Sequence, residues 1–457
     1  MKPNFRTEND SLGPVKIPKN AYYGSTTARA INNFQISGIK SPKIFKQMLG
    51  LVKMAACEVN TGLGLLTKEQ SKAIVQAAQE FIDGKFDEDF PVDVFQAGAG
   101  TSCNMNANEV IANRANEILG GKIGEYNFVH PNNHVNIGQS TNDVIPTVSR
   151  IAALVILPKL LKTIAELETE FEKIAKKYAK VIKVGRTHLE DAVPISLGQE
   201  FDSYKEALKK SRKYIEQQSA DLKVLGIGGT AVGTGINAHP KYKEGMIKTL
   251  SKKTGIQFKS GANLTEMANN MNSFMNFSSS LRSLAVNLLN LCNDLKVMNM
   301  GPTAGISEVT LPAVQPGSSI MPGKVNPSIP ECMEMICMQV LGNDKTIEVA
   351  CQRSNFELNV FAPIIMYNLI QSIEILTNGV DTLNKFCIKD LQINVDKIKD
   401  LFDHSLCTAT SLSPHIGYTM TAEVVKAALK NKTTIKEEVL KRKLMDEKKL
   451  DKILAEV

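Results

Sequence analysis

The sequence lacks the cysteine patterns that mark a disulfide framework or a redox motif. It has eight cysteines in 457 residues, and none of them forms a C-x-x-C pair. Cys332 and Cys337, the closest two, lie in an apolar stretch, where a free cysteine usually behaves as a small buried hydrophobic residue. A chain of this length needs no disulfides to fold, so we expect a reducing, cytoplasmic setting.

Long apolar runs are also missing. The most apolar run, from Ile151 to Leu157, meets Pro158 well before the roughly 18 residues that a membrane span requires. The polar segment from Met1 to Arg6 has no apolar region behind it, which predicts no secretory signal. These features predict a protein that is neither transmembrane nor secreted.

Blocks of like charge are absent as well. Lysine and arginine number 54 against 47 acidic residues, but they are scattered along the chain, which argues against nucleic acid as a partner. Hydrophobic residues make up 43% of the chain and charged residues only 22%. This composition predicts a soluble globular protein with its core divided over two or three domains.

What the sequence contains is a set of long helical stretches. Between Arg150 and Lys180, apolar residues recur every three to four positions, which predicts an amphipathic helix of more than about 25 residues. The stretch from Thr265 to Met300 is apolar on more than one side, which predicts a helix covered all round in a bundle or at a subunit interface. Further long helices are expected at 199–225, 330–351 and 363–387.

The end of the chain has a different character. After Lys389 the helical pieces become short, and they are expected at 392–402, 421–429 and 434–444. Thr434 and Glu437 have the spacing of a capping box. We therefore predict a mixed, mostly helical N-terminal domain (1–138), a central long-helix bundle domain (139–390) and a small helical C-terminal domain (391–457).

Polar segments between the helices are the natural places for functional residues. Two of them suggest familiar sites that their context disfavours. His130 and His134 have helical spacing, but Pro131 and two asparagines between them favour a loop, and no third ligand follows at a recognisable spacing, so we expect no metal. Gly226 to Gly233 looks like a phosphate-binding loop, yet it has no G-K-[ST] ending and no βαβ context, which favours a tight turn between helices.

The other polar segments supply neutral hydrogen-bond donors and few cations. The segment from Gly317 to Pro327 places two serines, a lysine and an asparagine on one loop. Hydroxyls, an amide and an imidazole come from 100–102, 139–143 and 185–188. Such groups suit a small dicarboxylate, because they bind carboxylates and Lys324 can neutralise one. Each cluster taken alone could equally serve as helix caps and turns.

The wording G-S-S-I-M-P-G-K-V-N-P at 317–327 resembles the signature of the aspartase/fumarase superfamily. It is joined in the expected order by 100–106, 130–132, 139–143 and 185–189, and the resemblance runs from Asn20 to Tyr418. It implies a mainly α, three-domain fold with a central bundle of long helices in a homotetramer whose active sites are shared by three subunits. It also implies elimination from a succinyl-type substrate to release fumarate, with no required cofactor; activation by a divalent metal stays open.

Within the superfamily, most of the distinguishing sequence segments resemble those of aspartate ammonia-lyases. The segments with this form are 90–100, 140–142, 311–315 and 328–331. The segment from Asn355 to Phe361 is instead closer to class II fumarases, which remain the alternative. A non-catalytic relative that keeps only the helical scaffold is disfavoured, because the signature loop is intact.

The resemblance also implies residue roles. Ser318 would be the general base on a mobile loop, and its alkoxide would need nearby N–H groups and positive charge. The other residues of the predicted catalytic set are His188, Lys324 and Asn326. The predicted substrate-binding residues are Thr101, Ser140, Thr141, Asn142, Thr187, Ser319 and Met321.

In this scheme the two carboxylates have separate partners. The carboxylate that gains charge would be held by Thr101, Ser140, Thr141 and Ser319. The other would be held by Thr187, Lys324 and Asn326, while His188 and Asn142 would contact the departing amino group. Arg186 has no obvious substrate role and is expected in a structural ion pair. Asn133 stands where the family usually has an acidic residue, so the resemblance leaves open whether a second dicarboxylate site exists near His130.

Overall fold

A computed structural model describes residues 4–455, which form sixteen α-helices and eight short strands. The helices are α1 (Ser25–Asn33), α2 (Lys43–Gly62), α3 (Lys68–Ile82), α4 (Thr101–Ile118), α5 (Thr141–Lys177), α6 (Leu197–Ser219), α7 (Tyr242–Thr254), α8 (Leu264–Asn269), α9 (Asn272–Met298), α10 (Ser328–Cys351), α11 (Ala362–Leu383), α12 (Val395–His404), α13 (Ala409–Ile416), α14 (Tyr418–Asn431), α15 (Ile435–Lys441) and α16 (Glu447–Ala455). The mainly α fold class is confirmed.

The strands pair two by two within this part of the chain. They are β1 (Phe5–Asp10), β2 (Gly13–Pro18), β3 (Ile182–Thr187), β4 (Glu190–Ser196), β5 (Val224–Leu225), β6 (Lys259–Ser260), β7 (Val309–Thr310) and β8 (Gln392–Ile393). The pairs β1–β2, β3–β4 and β7–β8 are antiparallel, and β5–β6 is parallel. The described strands therefore form two hairpins, β1–β2 and β3–β4, and two short pairings between segments that are distant in sequence.

The long helix predicted from Arg150 begins earlier, at Thr141, and continues through Pro146 and Pro158 to Lys177. Its start is fixed by Asp143, whose Oδ1 accepts the backbone N–H of Ser140 at 2.9 Å. Apolar periodicity could not show this start, because the first turn is polar.

The helix predicted as one piece from Thr265 to Met300 is in fact two. Helix α8 ends before Asn270, which is extended (φ −94°, ψ 114°). The Asn270 side chain accepts the backbone N–H of Asn272 at 2.8 Å, and α9 begins there. Asparagine side chains compete with the backbone for hydrogen bonds and so favour helix ends.

The helix predicted from Gln392 to Phe402 is also shorter at its start. Gln392 and Ile393 pair with β7 instead. Helix α12 begins only after Asn394, whose side chain donates to the Ser307 carbonyl at 2.8 Å. Pairing with β7, which is distant in sequence, thus takes the place of the first turn of the predicted helix.

The chain divides into two compact units. The first comprises Met1–Leu161, Lys213–Ser283 and Met338–Leu376, and the second comprises Lys162–Arg212, Leu284–Cys337 and Thr377–Val457. The three domain ranges drawn from the sequence stay predictions, as does the homotetramer. Met1–Pro3 and Glu456–Val457, at the two ends of the predicted domain ranges, lie outside the described residues. Met1–Pro3 also begin the segment from which we predicted no secretory signal.

Helix α5 is long and apolar enough to cross a membrane by length and composition alone. However, 72% of its most apolar 18-residue window is buried within the structure. The core helix of a soluble protein passes the same test, so this burial favours core packing of α5.

The C-terminal helices of the second unit share a small apolar core. Its buried members are Ala409, Leu412, Val424, Ala428, Ile435, Val439, Leu450 and Ile453. The predicted capping box at the start of α15 is confirmed: Thr434 Oγ1 accepts the Glu437 N–H at 3.1 Å, and the Glu437 carboxylate accepts the Thr434 N–H at 2.8 Å. Local side-chain chemistry therefore sets where this helix begins.

We predict that Thr434→Ala destabilises α15 by about 1 kcal/mol, because it removes one of the two capping hydrogen bonds. Hydrogen–deuterium exchange of the α15 amides measures the effect, and they should exchange several-fold faster. Thr434→Ser keeps the hydroxyl and should exchange like the wild type. Equal protection in the alanine variant would show that the cap does not hold this helix.

Candidate active site

Two helices of the first unit begin at predicted substrate-binding residues. Helix α4 starts at Thr101, which is exposed, and α5 starts at Thr141, which is buried. Asn104 connects these helices, because its Nδ2 donates to Thr141 Oγ1 at 3.1 Å. Helix N-termini carry unpaired N–H groups and the positive end of the helix dipole, so each is a suitable place for a carboxylate.

The residues on either side of Thr141 are held in place by hydrogen bonds. The backbone N–H of Ser140 donates to Asp143, and the backbone N–H of Asn142 donates to Ser140 Oγ at 3.3 Å. The Asn142 side chain donates to the carbonyl of Ala231 at 2.8 Å. The first unit therefore brings Ser140, Thr141 and Asn142 together in one ordered turn.

In the second unit, Thr187 and His188 lie at the tip of the β3–β4 hairpin. Thr187 pairs with Glu190, so His188 and Leu189 form a two-residue turn. Both have positive φ, 56° and 65°, which is the twist that a type I′ hairpin needs and that glycine or asparagine usually supplies. Non-glycine residues in this conformation carry strain of about 1–3 kcal/mol each, and such strain often accompanies function.

A bulge shapes the same hairpin. The register shifts between Val184 and Arg186, and Gly185 lies at that step. A Cβ at Gly185 would lie 2.4 Å from the Val193 carbonyl oxygen, so only glycine fits.

Below the tip, the hairpin is anchored by buried charges. Arg186 Nη1 lies 2.8 Å from Glu308 Oε1, and Lys183 Nζ lies 2.9 Å from Glu308 Oε2. Lys183 also donates to Glu200 at 2.8 Å. Glu308 is fully buried, so both cations compensate its charge. The expected structural ion pair of Arg186 is confirmed.

The signature loop holds the hydroxyl of the predicted base with backbone hydrogen bonds. Ser318 Oγ accepts two backbone N–H groups, from Ile320 at 3.2 Å and from Met321 at 2.9 Å. Two N–H donors on one hydroxyl oxygen favour the form with more negative charge on that oxygen. This geometry matches the N–H support that the sequence led us to expect for Ser318.

The rest of the loop is closed on itself and largely exposed. The Gly317 N–H donates to the Lys324 carbonyl at 2.9 Å, and the Asn326 side chain donates to the Gly317 carbonyl at 2.6 Å. Ser319, Met321 and Lys324 are exposed. Lys324 has no acidic partner among residues 4–455, so its charge is available to an anion.

The predicted site residues thus fall into two groups. The first unit contains Thr101, Ser140, Thr141 and Asn142, and the second contains Thr187, His188, Ser318, Ser319, Met321, Lys324 and Asn326. Their meeting at one substrate, with contributions from three subunits, stays a prediction.

The segment around His130 differs from the loop that was expected. Residues Pro131–Val135 form one turn of π-helix. His130 Nδ1 accepts the backbone N–H groups of Asn132 and Asn133, and His134 Nδ1 accepts that of His130 at 2.7 Å. These local bonds explain the turn despite Pro131, which sits at its first position, where proline lacks no needed N–H.

Sequence reasoning assigned no role to three residues beside these groups. Asn104 and Asp143 lie within the motifs that were recognised, yet their partners are far along the chain and gave no signal. Lys53 left one clue: it is a lysine on the apolar face of α2, next to buried Leu49 and Val52.

Two models of known families match this chain. A family model described as Lyase matches residues 13–342, and one described as Fumarase C C-terminus matches residues 409–455. The first alone spans well over half of the chain.

Individual relatives match over nearly the full length. The chain is 44% identical over 455 residues to an aspartate ammonia-lyase of a Bacillus species, covering 99% of this chain and 97% of that one. It is 43% identical over 450 residues to a class II fumarate hydratase of Brucella suis biovar 1, covering 98% and 97%. Relatives of this similarity therefore carry two different activities.

Solved structures show the same fold. A Brucella melitensis protein described as fumarate lyase:delta crystallin, bound to cobalt, superposes with a TM-score of 0.94 at 43% identity, covering 99% of this chain and 98% of that chain. A class II fumarase from Schistosoma mansoni gives a TM-score of 0.95 at 36% identity, with the same coverage. From its signature loop, its helical fold and these matches, the chain belongs to the aspartase/fumarase superfamily of lyases.

Proposed function

We propose that the protein is an aspartate ammonia-lyase, which converts L-aspartate to fumarate and ammonia. The observation that carries this choice is the turn Ser140–Thr141–Asn142. Its S-T-N sequence resembles that of aspartases, whereas fumarases tend to have a serine at the position of Thr141. In the structure, Thr141 starts α5 and its hydroxyl is held by Asn104. The similarity to an aspartate ammonia-lyase over 99% of the chain supports the proposal.

The difficult step is removal of a proton from the carbon beside a carboxylate. The alkoxide of Ser318 takes this proton as general base and becomes a hydroxyl, while the electron pair of the C–H bond moves into the carboxylate, which becomes a doubly charged aci-carboxylate. A serine is ordinarily far too weak a base for this task. The N–H groups of Ile320 and Met321 lower the energy of its alkoxide.

The new charge on the carboxylate needs donors that are already in place. Thr101, Ser140, Thr141 and Ser319 supply hydroxyl groups for this charge. Fixed donors stabilise developing charge without having to reorganise, which is usually the largest contribution to catalysis. Thr187, Lys324 and Asn326 hold the second carboxylate.

Collapse of the aci-carboxylate then breaks the C–N bond. The electron pair of the aci-carboxylate forms the double bond of fumarate, and the ammonium group of the substrate leaves as ammonia. Asn142 suits this end of the substrate, because its amide N–H is bound to Ala231 and its Oδ1 can accept from an ammonium group. His188, exposed at the hairpin tip, contacts the same group.

Class II fumarase is the second candidate. The segment Asn355–Phe361 has the fumarase wording, and a class II fumarate hydratase is nearly as similar to the chain as the aspartate ammonia-lyase. In this alternative, the same groups would take the C–H proton from L-malate, whose hydroxyl would leave as hydroxide and take a proton from solvent to form water. The protein would in either case act on a small dicarboxylate as a homotetramer.

We predict that the purified protein releases fumarate from L-aspartate and not from L-malate. Fumarate absorbance is followed with each substrate at equal concentration, and fumarate plus ammonia is compared with fumarate plus water for the reverse reaction. Fumarate from malate alone would replace the proposal by the fumarase alternative. Fumarate from neither would contradict both.

We also predict that Ser318→Ala lowers kcat by roughly 10²–10⁴-fold, the usual contribution of a general base. The substrate-binding groups are unchanged, so KM should change little. Ser328→Ala is the matched control, because it removes a hydroxyl close in sequence whose buried oxygen has no hydrogen-bond partner among residues 4–455, and it should keep normal turnover. Turnover of Ser318→Ala at the control's level would remove Ser318 from the mechanism.

A further inference from the structure

The glycine-rich turn from Gly226 to Gly233 does bind an anion, and this anion belongs to the chain itself. The backbone N–H groups of Gly228 and Thr230 donate to Asp143 Oδ2, at 3.0 and 2.9 Å. Gly228 has φ 88°, and a Cβ there would lie 2.8 Å from the Cβ of Lys243. Its conformation and its close packing therefore both require glycine. The turn resembles a phosphate cradle because it does the same physical task for a carboxylate.

Asp143 uses its second oxygen to hold the start of α5. Its Oδ1 accepts the Ser140 N–H at 2.9 Å. One carboxylate thereby joins the glycine-rich turn to the residues that are proposed to bind the substrate. The bond from the Asn142 side chain to the Ala231 carbonyl, at 2.8 Å, ties the same two segments together a second time.

A buried cation lies behind this arrangement. Lys53 on α2 is 0% exposed, and Asp143 is 4% exposed. Lys53 Nζ donates to Asn136 Oδ1 at 3.0 Å and to Gln139 Oε1 at 2.9 Å. Burial lowers the pKa of Lys53 to about 7 and raises the pKa of Asp143 to about 6. The charge of each group stabilises the ionised form of the other and so opposes these shifts. Two such groups tolerate burial because their hydrogen bonds and mutual attraction compensate.

The contacts of Lys53 also lead to the start of α5. Asn136 Oδ1 accepts from Asn104 Nδ2 at 3.3 Å, and the same Nδ2 donates to Thr141 Oγ1. Gln139 directly precedes Ser140. Lys53 therefore fixes the segment that enters α5, and Asp143 fixes its first turn.

We propose that Asp143, in its glycine-rich cradle, and Lys53 are positioning residues that hold Ser140, Thr141 and Asn142 in the conformation that binds the substrate. Both are buried, so they act on the substrate only through these residues. The inference rests on the proposed function, in which Ser140, Thr141 and Asn142 contact the dicarboxylate.

The test compares Asp143→Asn with a matched buried carboxylate. Glu109 on α4 is 3% exposed and likewise accepts three backbone N–H groups, from Gly24, Thr26 and Thr27. It lies eight residues beyond Thr101, about 12 Å along the helix. Asp143→Asn should raise KM about tenfold or more and also lower kcat, because the displaced Ser140 and Thr141 hold the carboxylate both in the bound substrate and as it gains charge. Glu109→Gln should change KM less than about twofold.

Binding of succinate, a dicarboxylate with no group to eliminate, gives a readout that does not depend on turnover. Calorimetry should show weaker binding to Asp143→Asn and unchanged binding to Glu109→Gln. If Asp143→Asn does not fold, Lys53→Met, which keeps the side-chain volume and removes the buried charge, should show the same rise in KM and the same loss of succinate affinity.

Wild-type KM and succinate affinity in a folded Asp143→Asn or Lys53→Met variant would overturn the inference. An equal rise of KM in Glu109→Gln would also overturn it, because any buried carboxylate would then have the same effect. The outcome is separable from that of the proposed function. If the wild type uses malate and not aspartate, the proposed function fails, and the variants are compared with malate.

Discussion

The proposed mechanism depends on two side-chain oxygens that each accept two backbone N–H groups, one on Ser318 and one on Asp143. At Ser318, the N–H groups of Ile320 and Met321 meet on the hydroxyl oxygen. At Asp143, those of Gly228 and Thr230 meet on one carboxylate oxygen. Away from water, negative charge is stable only where oriented dipoles or cations surround it. In the proposed reaction, the first set of donors stabilises the base itself, and the second holds Asp143, which in turn positions the residues that bind the substrate.

Charged side chains have a different task, which is to hold these backbone segments in place. Glu308 binds Lys183 and Arg186 at the root of the β3–β4 hairpin, and it directly precedes β7, from which the chain continues towards the signature loop. Lys53 and Asp143 are both buried and bond to different neighbours, and both hold the start of α5. The exposed groups at the tips, His188 and Lys324, have no such partners among the described residues and remain available to a ligand.

Apolar periodicity predicted the long helices because their buried residues are apolar and recur at helical spacing. It missed the break at Asn270 within one long helix and the start of the short helix predicted from Gln392, where an asparagine cap and a strand pairing with β7 decide the backbone. These choices depend on single hydrogen bonds and on segments distant in the chain, neither of which a local pattern records.

The candidate site residues were identified from sequence motifs, since the residue types in these motifs and their order along the chain resemble those of the superfamily. The role of Asp143 was not visible, although it lies in a recognised motif. Its partners Gly228 and Thr230 are 85 and 87 residues away. The same limit explains why Gly226 to Gly233 was predicted only as a tight turn: its bound anion is a side chain from another part of the fold.

The central claim is that Ser318 and the first turn of α5 act on one dicarboxylate. A crystal structure of the assembled protein with bound succinate tests it most directly. The account predicts one carboxylate at the hydroxyls of Ser140 and Thr141, and Ser318 Oγ within about 3–4 Å of a carbon next to a carboxylate. Succinate bound elsewhere, or at Thr141 with Ser318 Oγ well out of reach of every carbon, would contradict it.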